Sequence, residues 1–314
     1  MTERPVLVLL GATATGKSAL ALTLAERFGG EIVNADALQV YRGLDIGTAK
    51  PTAEERARVL HHLIDVVGPE ERFSAGEFGR RARAVLAEIR ARGHWPLVVG
   101  GSGFYLRALL EGLSPVPPGD EEVRADLRRE QVELGLPALY ERLQRVDPET
   151  AERLPAGDAQ RILRALEVAA VSGRPLSAWI AAKPLEEERV AAFRLGLTLP
   201  RTILYDRIER RVVWMVERGW VREVAELLAQ GIAPDCPAFQ AIGYRQLVRH
   251  VQGDWTLDQA LADIVQATRR FAKRQETWFR REPEVHWIDA RDAERGALHV
   301  LSSISGGDPG VVNA

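Results

Sequence analysis

Close to its start the chain carries Gly11, Gly16, Lys17 and Ser18 in the spacing G-x-x-x-x-G-K-[ST], within the string GATATGKS. The apolar run PVLVLL precedes it, and ALALTLAERF follows with Leu20, Leu24 and Phe28 on one helical face. In that context the string is a phosphate cradle. Its glycines let successive backbone N–H groups point into one concavity at a helix N-terminus, Lys17 adds a point charge and the Ser18 hydroxyl reaches Mg²⁺. Such a loop holds a polyphosphate, which need not be a nucleoside triphosphate. The usual occupant is the nucleotide of a kinase or NTPase. The acid that would complete such a site is Asp65, in HLIDVV (62–67), or Asp36, at the end of EIVNAD (31–36). No Asn-Lys-x-Asp string occurs, which argues against a GTPase.

A second chemistry lies near the other end. Between Thr268 and Arg281 stand six basic residues (Arg269, Arg270, Lys273, Arg274, Arg280 and Arg281) against one acid, Glu276, with Trp278 and Phe279 among them. The chain as a whole has a formal net charge of −2. Basic side chains near helical spacing can track phosphates while aromatics stack on unpaired bases. The alternative is a solvated helix face.

These groups need a scaffold. Short β-rich runs at 5–10, 31–36, 62–67, 96–101, 193–199 and 285–289 alternate with helical patterns. The clearest helix covers 75–92, with Ser74 and Glu77 as a capping box, Phe78, Ala82, Leu86 and Ile89 as its apolar face and Gly93 as its stop. Alternation of this kind predicts a parallel sheet covered on both faces. It stops at SPVPPGDEEV, after which only helical patterns follow (about 120–135, 137–146 and 158–173). The expectation is a P-loop NTPase-like α/β core from residues 1–115 and 200–303, interrupted by a helical insertion domain over 116–199. Residues 304–314 read as a frayed tail. At 314 residues and 46% apolar content the chain supports one large core plus an insert. A single cysteine, Cys236, excludes internal disulfides and multi-cysteine zinc sites, and points to a reducing compartment, the cytoplasm by default. No apolar run has the length of a membrane span.

Read in order, GATATGKS, NADALQVYRGLDIGTAKP (34–51), HHLIDVVGPEERFSAGEF (61–78), PLVVGGSGFYLRALLEGL (96–113), DAQRILRALEV (158–168), AIGYRQL (241–247) and TRRFAKRQETWFRR (268–281) resemble the tRNA dimethylallyltransferase family over nearly the whole chain. The resemblance implies transfer of the dimethylallyl group of dimethylallyl diphosphate to N6 of the adenosine just 3′ of the anticodon, with Mg²⁺ assisting departure of diphosphate. The P-loop then cradles an isoprenoid diphosphate in place of ATP. A leaving group of concentrated negative charge needs the same N–H donors, lysine and metal. The implied partners are the anticodon stem-loop of tRNA and dimethylallyl diphosphate, with no protein partner and no membrane.

Carried onto this chain, the resemblance assigns diphosphate binding to Gly11, Thr13, Ala14, Thr15, Gly16, Lys17, Ser18 and Arg207, with Ser18 as the metal contact. It assigns chemistry to Asp36 and Ser102. The adenosine's exocyclic amine is a poor nucleophile, and a carboxylate past the second strand, beside the P-loop mouth, is where a parallel sheet places a base. An indirect metal contact or a local cap is the other role open to Asp36. Contact with tRNA falls to Asp36, Leu38, Gln39, Ser102, Arg124, Gln160, Arg161, Arg164, Gly243, Tyr244, Arg245, Lys273, Arg274, Gln275, Trp278 and Arg280. The insert would help clamp the anticodon arm. Three positions depart from the family pattern: Ala12 replaces proline, Ala37 replaces serine, and Ser102 stands where threonine is usual. Ser102 keeps a hydroxyl, whereas Ala37 loses one. The rival functions are a small-molecule P-loop kinase, an adenylate isopentenyltransferase and a non-catalytic RNA-binding P-loop module.

Overall fold

A computed structural model describes residues 5–182 and 189–304. The described residues form two compact units, one falling within 1–110 and 190–314 and the other within 111–189.

The first unit is built on six parallel strands: β1 (Val6–Gly11), β2 (Gly30–Asn34), β3 (His61–His62), β4 (Trp95–Val99), β5 (Ala192–Thr198) and β6 (Val285–Asp289), in the order β3-β2-β4-β1-β5-β6. Every residue of β1 and β4 is buried, as continuous apolar runs in a parallel sheet must be. Leu7, Leu9, Leu97, Val99, Leu195 and Leu197 share one face with Leu20 and Leu24 of α1 (Lys17–Phe28) and Leu301 of α13 (Ala293–Ile304). The alternate residues face the other way, where α3 (Ala75–Ala91), α4 (Gly103–Leu110) and α12 (Leu257–Phe279) pack. A short α2 (Ala53–Arg58) links β2 to β3. After β5, α9 (Arg201–Glu217), α10 (Trp220–Ala229), α11 (Tyr244–Val251) and α12 build a second core around Trp220, Phe239 and Tyr244, which also buries Val40, Tyr41 and Leu44.

The insert holds α5 (Glu121–Val146), α6 (Pro148–Arg153), α7 (Ala159–Ser172) and α8 (Leu176–Ala181) around Leu139, Leu143, Ile162 and Leu166. Gly135, at φ 81°, breaks α5 ahead of Pro137, as the two helical patterns of the sequence required.

Three expectations need correction. The insert spans 111–189, not 116–199, because β5 pairs along its length with β1 and lies inside the sheet. The strand expected over 62–67 shrinks to His61–His62, because Leu63 and Asp65 adopt positive φ (59° and 58°) and turn the chain out of the ladder. Ser74 accepts from the Glu77 N–H as expected, but the Glu77 carboxylate turns to Arg80 and Arg81 instead of closing a capping box. Of the expected tail, 305–314 lie outside the described residues.

Candidate functional site

The C-terminal ends of β1, β4 and β2, adjacent in the sheet, each deliver a loop to one edge: the P-loop, then Gly100–Ser102, then Ala35–Leu38. This is where an open α/β sheet presents its chemistry. Gly16 (φ 97°) caps α1, with Lys17 and Ser18 as its first residues. The Lys17 ammonium donates to the carbonyls of Gly11 (3.0 Å) and Ala12 (2.8 Å) of its own loop. Burial holds its pKa down to about 8, with Asp36 opposing and the Arg211 cation reinforcing that shift. One Asp36 carboxylate oxygen accepts from the Leu38 N–H at 2.8 Å. Ser102 reaches across to the same segment, its hydroxyl accepting from the Ala37 N–H at 3.1 Å. The backbone at Ala37 is thus engaged although its side chain carries no hydroxyl.

Two adjoining cavities meet here. One, of ≈ 410 Å³, is lined by Lys17, Ser18, Asp36, Arg207 and Arg211; the other, of ≈ 870 Å³, by Asp36, Ser102, Tyr105, Arg211, Arg245, Arg274 and Trp278. Asp36, Thr13, Gly101, Arg211 and Gln275 border both. Three cations, Lys17, Arg207 and Arg211, surround one carboxylate, which leaves the smaller cavity suited to a multiply charged anion.

Arg211 escaped the sequence reading, which singled out Arg207. Its guanidinium donates to the Thr13 hydroxyl at 3.4 Å and feels Asp36, while burial disfavours its charge. A helical signal pointed to it. Leu204, Ile208, Val212 and Met215 form the buried stripe of α9, and the roughly 100° helical step puts Arg211 at the edge of that stripe with Arg210 on the far side. Arg210 indeed pairs with Asp206 on the surface.

Several expected contacts serve the architecture instead. The Thr15 hydroxyl turns inward to the Ala12 carbonyl (2.9 Å), leaving only its backbone for an anion. The Thr13 N–H, an expected phosphate donor, is taken by the Gln275 carboxamide at 2.8 Å. Gln275, expected on tRNA, is buried and donates to the Gly101 carbonyl at 2.9 Å. Tyr244 is fully buried, its hydroxyl donating to Glu223 at 2.6 Å, and Gly243 lies against Trp220, so neither touches a surface ligand. Burial, joined by the Glu223 charge, pushes the Tyr244 hydroxyl pKa well up. Glu223, also missed from sequence, accepts from the N–H groups of Asp45 (3.0 Å) and Ile46 (2.7 Å), and so fastens the DIGTAK segment to α10. Gln39 braces that segment from within by donating to Thr48 and Ala49 carbonyls. Asp65 is withdrawn as a metal-site acid, because Lys50 (2.5 Å) and Arg56 (2.8 Å) hold it in a structural network. In the insert, Arg124 and Arg164 both pair with the buried Glu167 (2.8 and 2.9 Å), and Arg164 keeps 33% of its side chain exposed. Gln160 and Arg161 remain exposed there.

The basic stripe does face outward. Among the described residues only Arg269 of the six enters an ion pair, with Glu209; Lys273, Arg274 and Arg280 are exposed. Trp278 packs on Gly103 with Arg107 over its ring at 4.8 Å, and Leu38 and Arg245 line the larger cavity. Among the described residues no three His, Cys, Asp or Glu side chains gather to hold a metal, and no helix is long and apolar enough to cross a membrane. Ser18 offers the smaller cavity one hydroxyl, a donor that would leave Mg²⁺ most of its shell from water and phosphate.

Comparison with known proteins places this geometry among relatives. A sequence profile of the IPP transferase family matches residues 39–282, and one described as isopentenyl transferase matches 4–65. A tRNA dimethylallyltransferase of Syntrophobacter fumaroxidans is 50% identical over 92% of this chain and 85% of its own. That of Geobacter metallireducens is 48% identical over 90% and 92%. The crystal structure of the tRNA isopentenylpyrophosphate transferase of Bacillus halodurans matches at 37% identity with a TM-score of 0.70, covering 97% of this chain and 96% of that one. A eukaryotic dimethylallyltransferase acting on tRNA matches at 25% identity and a TM-score of 0.79, over 97% and 80%.

Proposed function

The chain belongs to the IPP transferase family, and from that membership we propose that it prenylates adenosine in tRNA, with dimethylallyl diphosphate as donor and N6 of the adenosine beside the anticodon as acceptor. The observation that carries the reading is Asp36 on the wall common to two cavities, one ringed by Lys17, Arg207 and Arg211 and the other by Ser102, Arg274 and Trp278. The cationic side receives the leaving diphosphate, with the α1 N-terminus and Lys17 beneath it. The larger side receives the allyl group and the extruded base. As N6 attacks the terminal allylic carbon, the C–N bond forms, the C–O bond to diphosphate breaks, and an N6 proton passes to the free oxygen of Asp36. Ser102, hydrogen-bonded to Ala37, fixes the turn that holds Asp36 and offers its hydroxyl proton to the base. Mg²⁺, when bound at Ser18 with the diphosphate, supplies Lewis-acid stabilisation of the departing charge.

The exposed cations of α12 account for the second substrate, since a small acceptor has no use for a phosphate-tracking ridge. Incubation with radiolabelled dimethylallyl diphosphate, offering unmodified tRNA, AMP or ATP in parallel, tests the reading. Label is expected on tRNA alone. Label on AMP, or ATP hydrolysis without prenyl transfer, overturns it.

A further inference from the structure

The Gln275 carboxamide lies inside the molecule, 6% exposed, between two loops distant from it in sequence. Its oxygen accepts from the Thr13 N–H of the P-loop at 2.8 Å, and its nitrogen donates to the Gly101 carbonyl at 2.9 Å. The fit is tight: a Cβ at Gly101 would stand 2.3 Å from that nitrogen. Each loop then continues straight into the reaction site. Thr13 accepts from Arg211, and Ser102, next to Gly101, bonds the N–H of the residue after Asp36. The carboxamide therefore ties the cradle of the leaving group to the turn that positions the base. It also withdraws one P-loop N–H from the phosphate side.

We propose that Gln275 is a positioning residue for the transfer step, setting the gap between the diphosphate cradle and the Asp36–Ser102 pair, and that it makes no contact with tRNA. The proposal rests on the reading that the P-loop holds the leaving diphosphate while Asp36 faces the attacking amine. Nucleophile and leaving group are held by different loops, and displacement needs them aligned within a few tenths of an ångström. A misplacement of about 1 Å costs on the order of 100-fold in rate. A neutral amide suits the task, since it can satisfy one donor and one acceptor at once without adding charge beside Lys17 and Asp36.

Gln275→Ala removes the tie. Gln275→Glu preserves its shape and its acceptor but sets a carboxylate oxygen against the Gly101 carbonyl, and Gly101→Ala evicts the carboxamide from the other side. Single-turnover transfer to tRNA, KM for each substrate and thermal melting are measured for all three and for Gln275→Ala/Gly101→Ala. The expected result is a transfer rate lowered about 10- to 100-fold, with both KM values within about threefold of the parent and melting little changed. The double variant should be no slower than the slower single one, because both act on one contact. Transfer rates within about threefold of the parent in Gln275→Ala and Gln275→Glu overturn the proposal. So does a loss confined to KM for tRNA, which makes Gln275 a tRNA contact, or a rate loss matched in every variant by lower melting and fewer active molecules, which makes it merely structural. If the parent itself transfers no label from the allylic diphosphate, the functional reading has failed, and that outcome is seen before any variant is made.

Discussion

Arg211 lines the same cavity as Lys17 and donates one long hydrogen bond, 3.4 Å to the Thr13 hydroxyl, while burial disfavours its charge. Its cation also lowers the Lys17 pKa, so the two repel across the smaller cavity. Replacing it by glutamine keeps a donor toward Thr13 and removes the charge. The unliganded protein should then become more stable. Relief of a poorly paired, partly buried cation amounts to about 1–2 kcal/mol, or a rise of roughly 2–6 °C in the melting of the α/β unit. With diphosphate present the sign reverses, because the anion loses a charge-assisted partner in a sheltered site. That loss is about 2–4 kcal/mol, roughly 30- to 900-fold in Kd. Thermal melting and calorimetric titration with Mg²⁺ and inorganic pyrophosphate measure both effects on one sample. A lower melting temperature without ligand, together with unaltered pyrophosphate affinity, would show Arg211 to be a peg for Thr13 and refute its place in the diphosphate site.

Asp36→Asn, nearly isosteric but unable to accept the N6 proton, is expected to slow the chemical step about 10²- to 10⁴-fold with little change in substrate binding; single-turnover rates within a few-fold of the parent would leave Asp36 a structural cap. Burial holds the Lys17 pKa down to about 8, so its cation prevails below that pH and is lost above it. The kcat/KM for the allylic diphosphate, which reports the free enzyme, should therefore fall as pH rises through about 8, and Lys17→Arg, which keeps its proton, should lose that limb; an inflection surviving in Lys17→Arg would assign it to another group. Replacing both Lys273 and Arg274 by glutamine should raise KM for tRNA, leave that for the diphosphate nearly unchanged, and flatten the dependence of log affinity on log salt by up to about two, at about 0.7 to 0.9 per lost phosphate contact. A lower melting temperature with an unchanged salt slope would remove that ridge from the tRNA surface.

The sequence by itself determined the glycine loop at the head of α1, the parallel core and the outward basic stripe, because each depends on neighbours in the chain. GATATGKS between an apolar run and an amphipathic helix can fold locally in few ways, and PVLVLL and PLVVGG are too apolar to lie anywhere but inside a sheet. It also marked Asp36, since a carboxylate two residues past a buried strand must stand at the sheet's edge. Tertiary structure decided which polar residues were left free to act. Arg124 and Arg164 are both drawn to the buried Glu167, and Tyr244, read as a tRNA contact, is buried with its hydroxyl on Glu223. Gln275 lies 262 residues from the P-loop N–H that it binds. No local pattern foretells such pairings, because a buried polar group must find a partner and the fold alone says which one is in reach. The same holds for 62–67, whose composition suits a strand: Lys50 and Arg56 hold Asp65 in place, and the ladder ends at His62. Arg207, Arg210 and Arg211 are chemically alike in the string, and the way α9 turns its apolar stripe to the core assigned Arg211 to the site and Arg210 to the surface.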